Sequence, residues 1–243
     1  MSRAGRVAVL SDVHGNAPAL AAVLAEVERE RPDLVVFGGD LTWGPLPGET
    51  LDCVRALTVP ARFVRGNADR AVLEGADATE RERWMQERHP AEARVVLERF
   101  ADHAVVDIDG LGAVRFTHGS PRTDEECITP ETPEERVREF MYGVDERVLV
   151  SAHVHIQFDR SVAGIRSVNA GSVGLPYEGR PGAYWALLGP DVELRHTAYD
   201  LEEAAERYRA TDFPNVEEMV DLLLEPPTPA EVIEDAERHV FRG

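Results

Sequence analysis

Val7-Ala8-Val9-Leu10-Ser11-Asp12-Val13-His14 is the stretch that fixes the fold class of this chain. Its four apolar residues run without alternation, the pattern of a strand covered on both faces, as in an α/β sheet with helices packed against it. Two residues of metal-ligating type follow where the strand ends. Asp12 and His14 are one residue apart, so on an extended backbone both project to the same side and can grip one cation.

Downstream, Pro18 opens a helix in which Leu20, Val23, Leu24 and Val27 recur at helical spacing, and Pro32 closes it before the apolar run Leu34-Val35-Val36-Phe37. This is a βαβ unit. Gly38 and Gly39 let the chain turn sharply and deliver Asp40 at the end of the second strand. A loop through Trp43, Pro45 and Pro47 leads to a helix predicted near 50–57, with Cys53 a core residue, and a third strand over 62–64 runs directly into Gly66-Asn67. Two helices are predicted between Ala78 and Phe100, interrupted at Pro90. Strands over 104–108 and 113–117 flank Asp109-Gly110, a signal for a type I′ hairpin, and His118 ends the second of them. An acidic loop over 122–135 and a short helix precede a strand over 147–151, which carries the chain to His153 and His155. Further strands are predicted over 158–162, 165–168, 183–188 and 192–196.

From Asp200 the pattern changes to acidic amphipathic helices. Leu201, Ala204, Ala205 and Tyr208 share one face, Val216, Met219, Val220 and Leu223 the next, and Thr228-Pro229 opens a last helix reaching Val240. The expected organisation is one domain over 1–199 and an acidic helical extension over 200–243 packed on it, serving as packing or homodimer surface.

Composition narrows the function classes. With 243 residues, 43% hydrophobic and 29% charged, the chain has the make-up of a soluble globular protein. No apolar run approaches the roughly 18 residues that span a bilayer, so no membrane association is expected. A formal charge of −19 argues against binding long nucleic acid, which depends on a basic surface. All 26 basic residues are Arg, which excludes a P-loop lysine and Schiff-base chemistry. Two cysteines, Cys53 and Cys127, form no metal knuckle, and Met1 to Arg6 lead into a strand without a signal-peptide pattern. A cytoplasmic location is expected.

Seven metal-capable side chains occur in order: Asp12, His14, Asp40, Asn67, His118, His153 and His155. Most follow predicted strands directly, so one sheet edge can gather them, which points to a two-metal hydrolytic centre. Taken singly, each has a plainer role. Asp40 can cap a turn, Asn67 can be a left-handed turn residue, and each histidine can be a satisfied polar group. His89, His103, His196 and His239 have no such partners and read as structural or solvated.

With Asp12-Val13-His14, Gly39-Asp40, Gly66-Asn67, Thr117-His118-Gly119 and His153-Val154-His155 in this order, the chain resembles the calcineurin-like metallophosphoesterase superfamily, in particular its small bacterial and archaeal phosphodiesterases. The resemblance spans residues 6 to 175 and includes Asn169-Ala170-Gly171-Ser172-Val173-Gly174. It implies a four-layer α/β/β/α sandwich with the C-terminal helices as an extension. It also implies one metal held by Asp12, His14, Asp40 and His155 and a second by Asp40, Asn67, His118 and His153, with Asp40 bridging.

The activity so implied is hydrolysis of phosphodiesters or phosphomonoesters by a metal-bridging hydroxide, with Asp40, Asn67 and His118 catalytic and Asn67 contacting a small phosphoester substrate. Asn16, in a loop beside the first motif, is a further candidate substrate contact, with a turn or packing role as its alternative. Carboxylate, amide and imidazole ligands without thiolate suit two divalent ions drawn from Mn, Fe, Co, Ni and Zn. Trp43, Arg65, Arg70, Ser172 and Tyr177 lie near the motifs as further candidate contacts, each with a turn, packing or surface alternative. Two positions depart from the family pattern. Ala68 stands where many members carry a His that protonates the leaving group, so leaving groups of low pKa are expected to react best. Ala152 replaces the usual Gly before His-x-His. The alternatives are a non-catalytic protein-binding scaffold on the same fold and a serine hydrolase built on Ser172, whose surroundings lack the strand-to-helix turn that a nucleophile elbow needs.

Overall fold

A computed structural model describes residues 2–74, 79–89 and 91–240. The chain starts in one sheet and crosses to the other. β1 (Ser2–Ala4), which the sequence pattern did not reveal, pairs in parallel with β5 (His103–Ile108) at the edge of a six-stranded sheet. That sheet continues through β6 (Gly112–Thr117), β7 (Val148–Ser151), β9 (Ile165–Ala170) and β8 (Gln157–Val162), in the order β1-β5-β6-β7-β9-β8. The second sheet contains β2 (Val7–Leu10), β3 (Leu34–Phe37), β4 (Ala61–Phe63), β10 (Ala183–Leu188) and β11 (Val192–Thr197), in the order β11-β10-β2-β3-β4.

Alternation along the central strands stacks the layers. Val7 and Val9 of β2, Val36 of β3 and Leu188 of β10 meet Val114 and Phe116 of β6, Val148 and Val150 of β7 and Val168 of β9 between the sheets. The opposite faces bury helices. Ala8, Leu10, Val35, Phe37, Trp185 and Leu187 pack with α1 (Ala17–Glu30), α7 (Leu201–Arg209) and α8 (Val216–Leu224). Leu149, Phe158 and Ile165 pack with α6 (Glu134–Phe140) and Ile233 of α9 (Pro229–Val240). The molecule is therefore a four-layer α/β/β/α sandwich, and the C-terminal helices join both outer layers. Each fully buried aliphatic side chain in these layers contributes roughly 1.5–3 kcal/mol.

Several local expectations are corrected. α2 (Pro47–Arg55) starts at Pro47, an N1 proline, three residues earlier than its apolar spacing suggests. α3 (Asn67–Glu74) begins at the Gly66-Asn67 turn and was not foreseen. The β5–β6 connection has three residues, because Ile108 pairs with Gly112, and Asp109 does not take the positive φ that a type I′ turn requires. Of the helices expected between Ala78 and Phe100, α4 (Glu80–Arg88) and α5 (Ala91–Leu97) are present, while Ala78 and Pro90 lie outside the described residues. No helix among the described residues is long and apolar enough to cross a membrane.

Candidate metal centre

Strand order brings the motifs together. β2, β3 and β4 are parallel neighbours in one sheet, and β6 and β7 are parallel neighbours in the other, so their C-terminal ends emerge at common edges. Asp12 and His14 follow β2, Asp40 follows β3, Asn67 opens α3 after β4, His118 follows β6, and His153 and His155 follow β7. The extended backbone expected for Asp-x-His and His-x-His is not what the structure shows. Asp12, His14, Asp40, His153 and His155 take φ of 52, 48, 52, 69 and 59°, left-handed values that disfavour non-glycine residues. Strain of this kind persists only where surrounding contacts enforce it, and it concentrates at functional sites. Here the Asp12 N–H donates to Gly39 O (3.0 Å) and the His14 N–H to Asp40 O (2.9 Å), zipping the two loops together.

Two ligand clusters result, Asp12 with His14 and His155, and Asp40 with His118 and His153. His155 Nε2 lies 3.2 Å from Asp12 Oδ1 and 3.2 Å from His14 Nε2. Asp40 stands between the clusters, with Oδ2 3.6 Å from His14 Nε2 and 3.5 Å from His118 Nε2. Asn67 Oδ1 lies 2.9 Å from His118 Nε2 and so joins the second cluster. Two of the four rings are aimed by backbone carbonyls: His118 Nδ1 is 2.9 Å from Gly38 O and His155 Nδ1 2.7 Å from Leu175 O. A proton donated from Nδ1 leaves Nε2 as the ligand nitrogen, the arrangement found around metal-bound histidines. His14 Nδ1 is buried without a hydrogen-bond partner among the described residues.

Burial and charge act against each other at this site. Burial lowers His14 and His153 to about 4, outweighing the nearby carboxylates. Burial also works against charge on His118, but Asp40 and Asp12 outweigh it and raise the ring to about 10. Asp40 and Asp12 are held below the ordinary carboxylate range, against burial, chiefly by His118 and His155 respectively. The donor set, two carboxylates, an amide oxygen and four imidazoles around a buried centre, fits a pair of divalent cations.

Asp69 is a site residue whose part was not foreseen. Its carboxylate accepts from Asp40 N (2.8 Å), Leu41 N (3.0 Å) and Gly66 N (3.0 Å), clamping the Asp40 loop to the Gly66-Asn67 turn. The available signal was a carboxylate in the first turn of a helix, three residues after a glycine. Ala68 offers no side-chain acid; its N–H donates to Asp40 Oδ1 at 2.9 Å. The segment over 169–174 is a brace. Asn169 Nδ2 donates to Ala152 O (2.8 Å), Ser11 Oγ to Gly171 O (2.8 Å), and Ser172 Oγ to Asp12 O (2.7 Å). Ala152 fits in place of glycine, with its N–H donated to His118 O at 2.7 Å.

Two candidate substrate contacts are placed otherwise. Asn16 is fully buried as the N-cap of α1: its oxygen accepts from Ala19 N, and its nitrogen donates to Gly174 O and Tyr199 Oη, each at 3.0 Å. That engages both ends of the amide within the protein. Ser172 is also fully buried and bound to backbone, and no helix follows it, so neither a substrate contact nor a nucleophile elbow is formed. Trp43 meets the His14 ring edge-on at 5.8 Å, and Tyr177 stacks on His155 at 4.6 Å. Arg65 and Arg70 line a cavity shared with His118. Outside the centre, His89 pairs with Thr42 (2.8 Å) and His196 with Pro181 O (3.1 Å), His103 is exposed, and the His239 side chain lies outside the described part.

Comparison with known proteins agrees with this fold. The chain is 26% identical over 229 residues to the uncharacterized protein MJ0912 of Methanocaldococcus jannaschii, covering 83% of this chain and 90% of that protein. A metallophosphoesterase from Sphaerobacter thermophilus superposes with a TM-score of 0.72 at 26% identity, over 90% of this chain and 97% of that one. The hypothetical protein PH1004 of Pyrococcus horikoshii OT3 shares the fold, with a TM-score of 0.80 at 22% identity over 92% of this chain and 99% of that one. The family model described as the calcineurin-like phosphoesterase superfamily domain matches residues 6–189, most of the chain, which therefore belongs to that superfamily.

Proposed function

We propose that this protein hydrolyses phosphoesters with two divalent transition-metal ions, one held by Asp12, His14, Asp40 and His155 and the other by Asp40, Asn67, His118 and His153. The observation that carries the reading is the position of Asp40 Oδ2, 3.6 and 3.5 Å from imidazole nitrogens of both clusters, where one carboxylate could serve two ions. Bound there, the ions would supply Lewis-acid charge and an activated water for attack on phosphorus. The protein contributes the rest. Carbonyl-aimed imidazoles and zipped loops fix the donors in place, and Asn67 presents an amide beside the reacting group. Protonation competes with metal at His118 Nε2, so loading is expected to weaken as pH falls. Because Ala68 provides no proton donor, substrates with acidic leaving groups, aryl diesters among them, are preferred.

The test is hydrolysis of bis(4-nitrophenyl) phosphate by protein of defined metal content, with Asp40→Asn and His118→Ala alongside. Both variants are expected to lose nearly all turnover while melting cooperatively. Unimpaired Asp40→Asn overturns the bridging role. Full metal loading without turnover of diesters, monoesters or nucleotides would favour a protein-binding scaffold.

A further inference from the structure

Beside the second cluster lies a cavity of ≈ 400 Å³ lined by Arg65, Arg70 and Arg122 together with His118 and His103. This is within the size range of small-ligand sites. Asp102 and Asp124 share the lining with the three arginines. Each arginine is tied to a motif of the metal centre. Arg65 precedes Gly66-Asn67, Arg70 lies one turn after Asn67 on α3 and so on the same helix face, and Arg122 follows His118 by four residues. His103 pairs with Thr117, next to His118, across β5 and β6.

The guanidinium groups are held in position. Arg70 is gripped by Asp124 through Nε (2.8 Å) and Nη2 (3.3 Å), by Glu125, and by Glu74 through Nη1 (3.4 Å). Arg65 pairs with Asp102, and Arg122 pairs with Glu126 while lying 5.0 Å over the Phe140 ring. These carboxylates sit among the arginines and offset their charge, so the cavity is not a strongly positive sink. They take all three nitrogens of Arg70, Nε and Nη2 of Arg122 and Nη2 of Arg65. An incoming anion would therefore meet the remaining N–H groups of Arg65 and Arg122, held in position, which suits one planar or tetrahedral anion rather than diffuse attraction of polyanions.

We infer that this cavity is a subsite for a second anionic group of the substrate, so that the preferred phosphoester carries a further phosphate close to the one attacked. The inference deepens the hydrolytic reading and rests on it. The subsite sits on the His118 side of the centre, whereas Trp43 and Tyr177 flank His14 and His155 on the other. The two sides of the site therefore differ in chemistry.

The experiment pairs thymidine 5′-(4-nitrophenyl phosphate) with its 3′-phosphorylated counterpart, which has the same leaving group. It is accompanied by calorimetric binding of thymidine 5′-monophosphate and thymidine 3′,5′-bisphosphate to the metal-loaded full chain. The doubly phosphorylated member of each pair is expected to be favoured by about ten- to a hundredfold, the worth of one or two charge-assisted hydrogen bonds. The preference should shrink as sodium chloride is raised. In Arg122→Gln and in Arg65→Gln/Arg122→Gln the ratio between the two members should fall toward one, with cooperative melting as the check on folding. Equal treatment of the two members by the wild-type protein overturns the subsite, as does a ratio that survives in folded variants. If neither ester is hydrolysed yet the bisphosphate binds preferentially and the variants abolish that preference, the subsite stands and the hydrolytic reading falls.

Discussion

Asp69 shows how much of the centre depends on a residue outside the ligand set. One carboxylate, buried and raised to about 7 by burial and by Asp40, satisfies three backbone N–H groups from two loops that carry ligands. Asp69→Asn would turn an amide N–H₂ toward at least one of those donors. The expected loss is about 1–3 kcal/mol of stability, the cost of leaving a buried donor unmet. Metal affinity should fall by roughly 10–100-fold, as when a group supporting a ligand is removed. Urea unfolding and metal titration check both, and unchanged values in the two would refute the clamp. At this scale the sequence was legible where residue type and local order marked candidates, as for Asp12, His14, Asp40 and His118, which the fold gathers into two clusters. Asn16 was not legible in the same way. Its place beside a metal motif suggested substrate, whereas its place before Ala17-Pro18 made it a helix cap.

Elements repeat the lesson in terms of length and neighbours. Strands with unbroken apolar runs, such as β2, β3 and β7, were readable because burial on both faces leaves a continuous signature. β1 has three residues at a sheet edge, and α3 has eight residues beginning in a Gly-Asn turn, too short for periodicity to appear. The brace over 169–174 stands out as a motif in the sequence, but its work depends on contact with the β2 loop. A Cβ on Gly174 would run into the Val13 carbonyl, between Asp12 and His14, and its N–H bonds Asp12 O at 3.0 Å. Gly174→Ala is therefore expected to cost about 1–3 kcal/mol through overpacking. On the proposed two-metal reading it should also weaken metal binding at Asp12 and His14 before that at His118, which metal-by-metal titration would show. Equal loss at both sites would place the damage elsewhere.

For the whole molecule, the C-terminal helices belong to the core. Tyr208, Phe213, Met219, Val220 and Leu223 lie in the same buried cluster as Leu10, Leu20 and Trp185, and Tyr199 bonds Asn16 at the mouth of α1. Arg81 and Trp84 of α4 reach the same region, the first through Pro214 O and the second through Asp212. At roughly 1.5–3 kcal/mol for each large apolar side chain, removing these five exceeds much of the 5–15 kcal/mol by which a domain is stable. A chain ending at Tyr199 is expected to lose cooperative thermal unfolding and to bind a hydrophobic dye, and a sharp native-like transition would contradict this. By itself the sequence determined the α/β class, most strands, the amphipathic tail and the identity and order of the metal-capable residues, because each is written in contiguous burial patterns and turn chemistry. Only the tertiary structure decided that five of those residues adopt left-handed backbone, that Asp40 stands between two clusters, and that three arginines share a cavity with His118. Those facts follow from which strands lie side by side and which edges coincide, and pairing across more than a hundred residues leaves no mark on any local stretch.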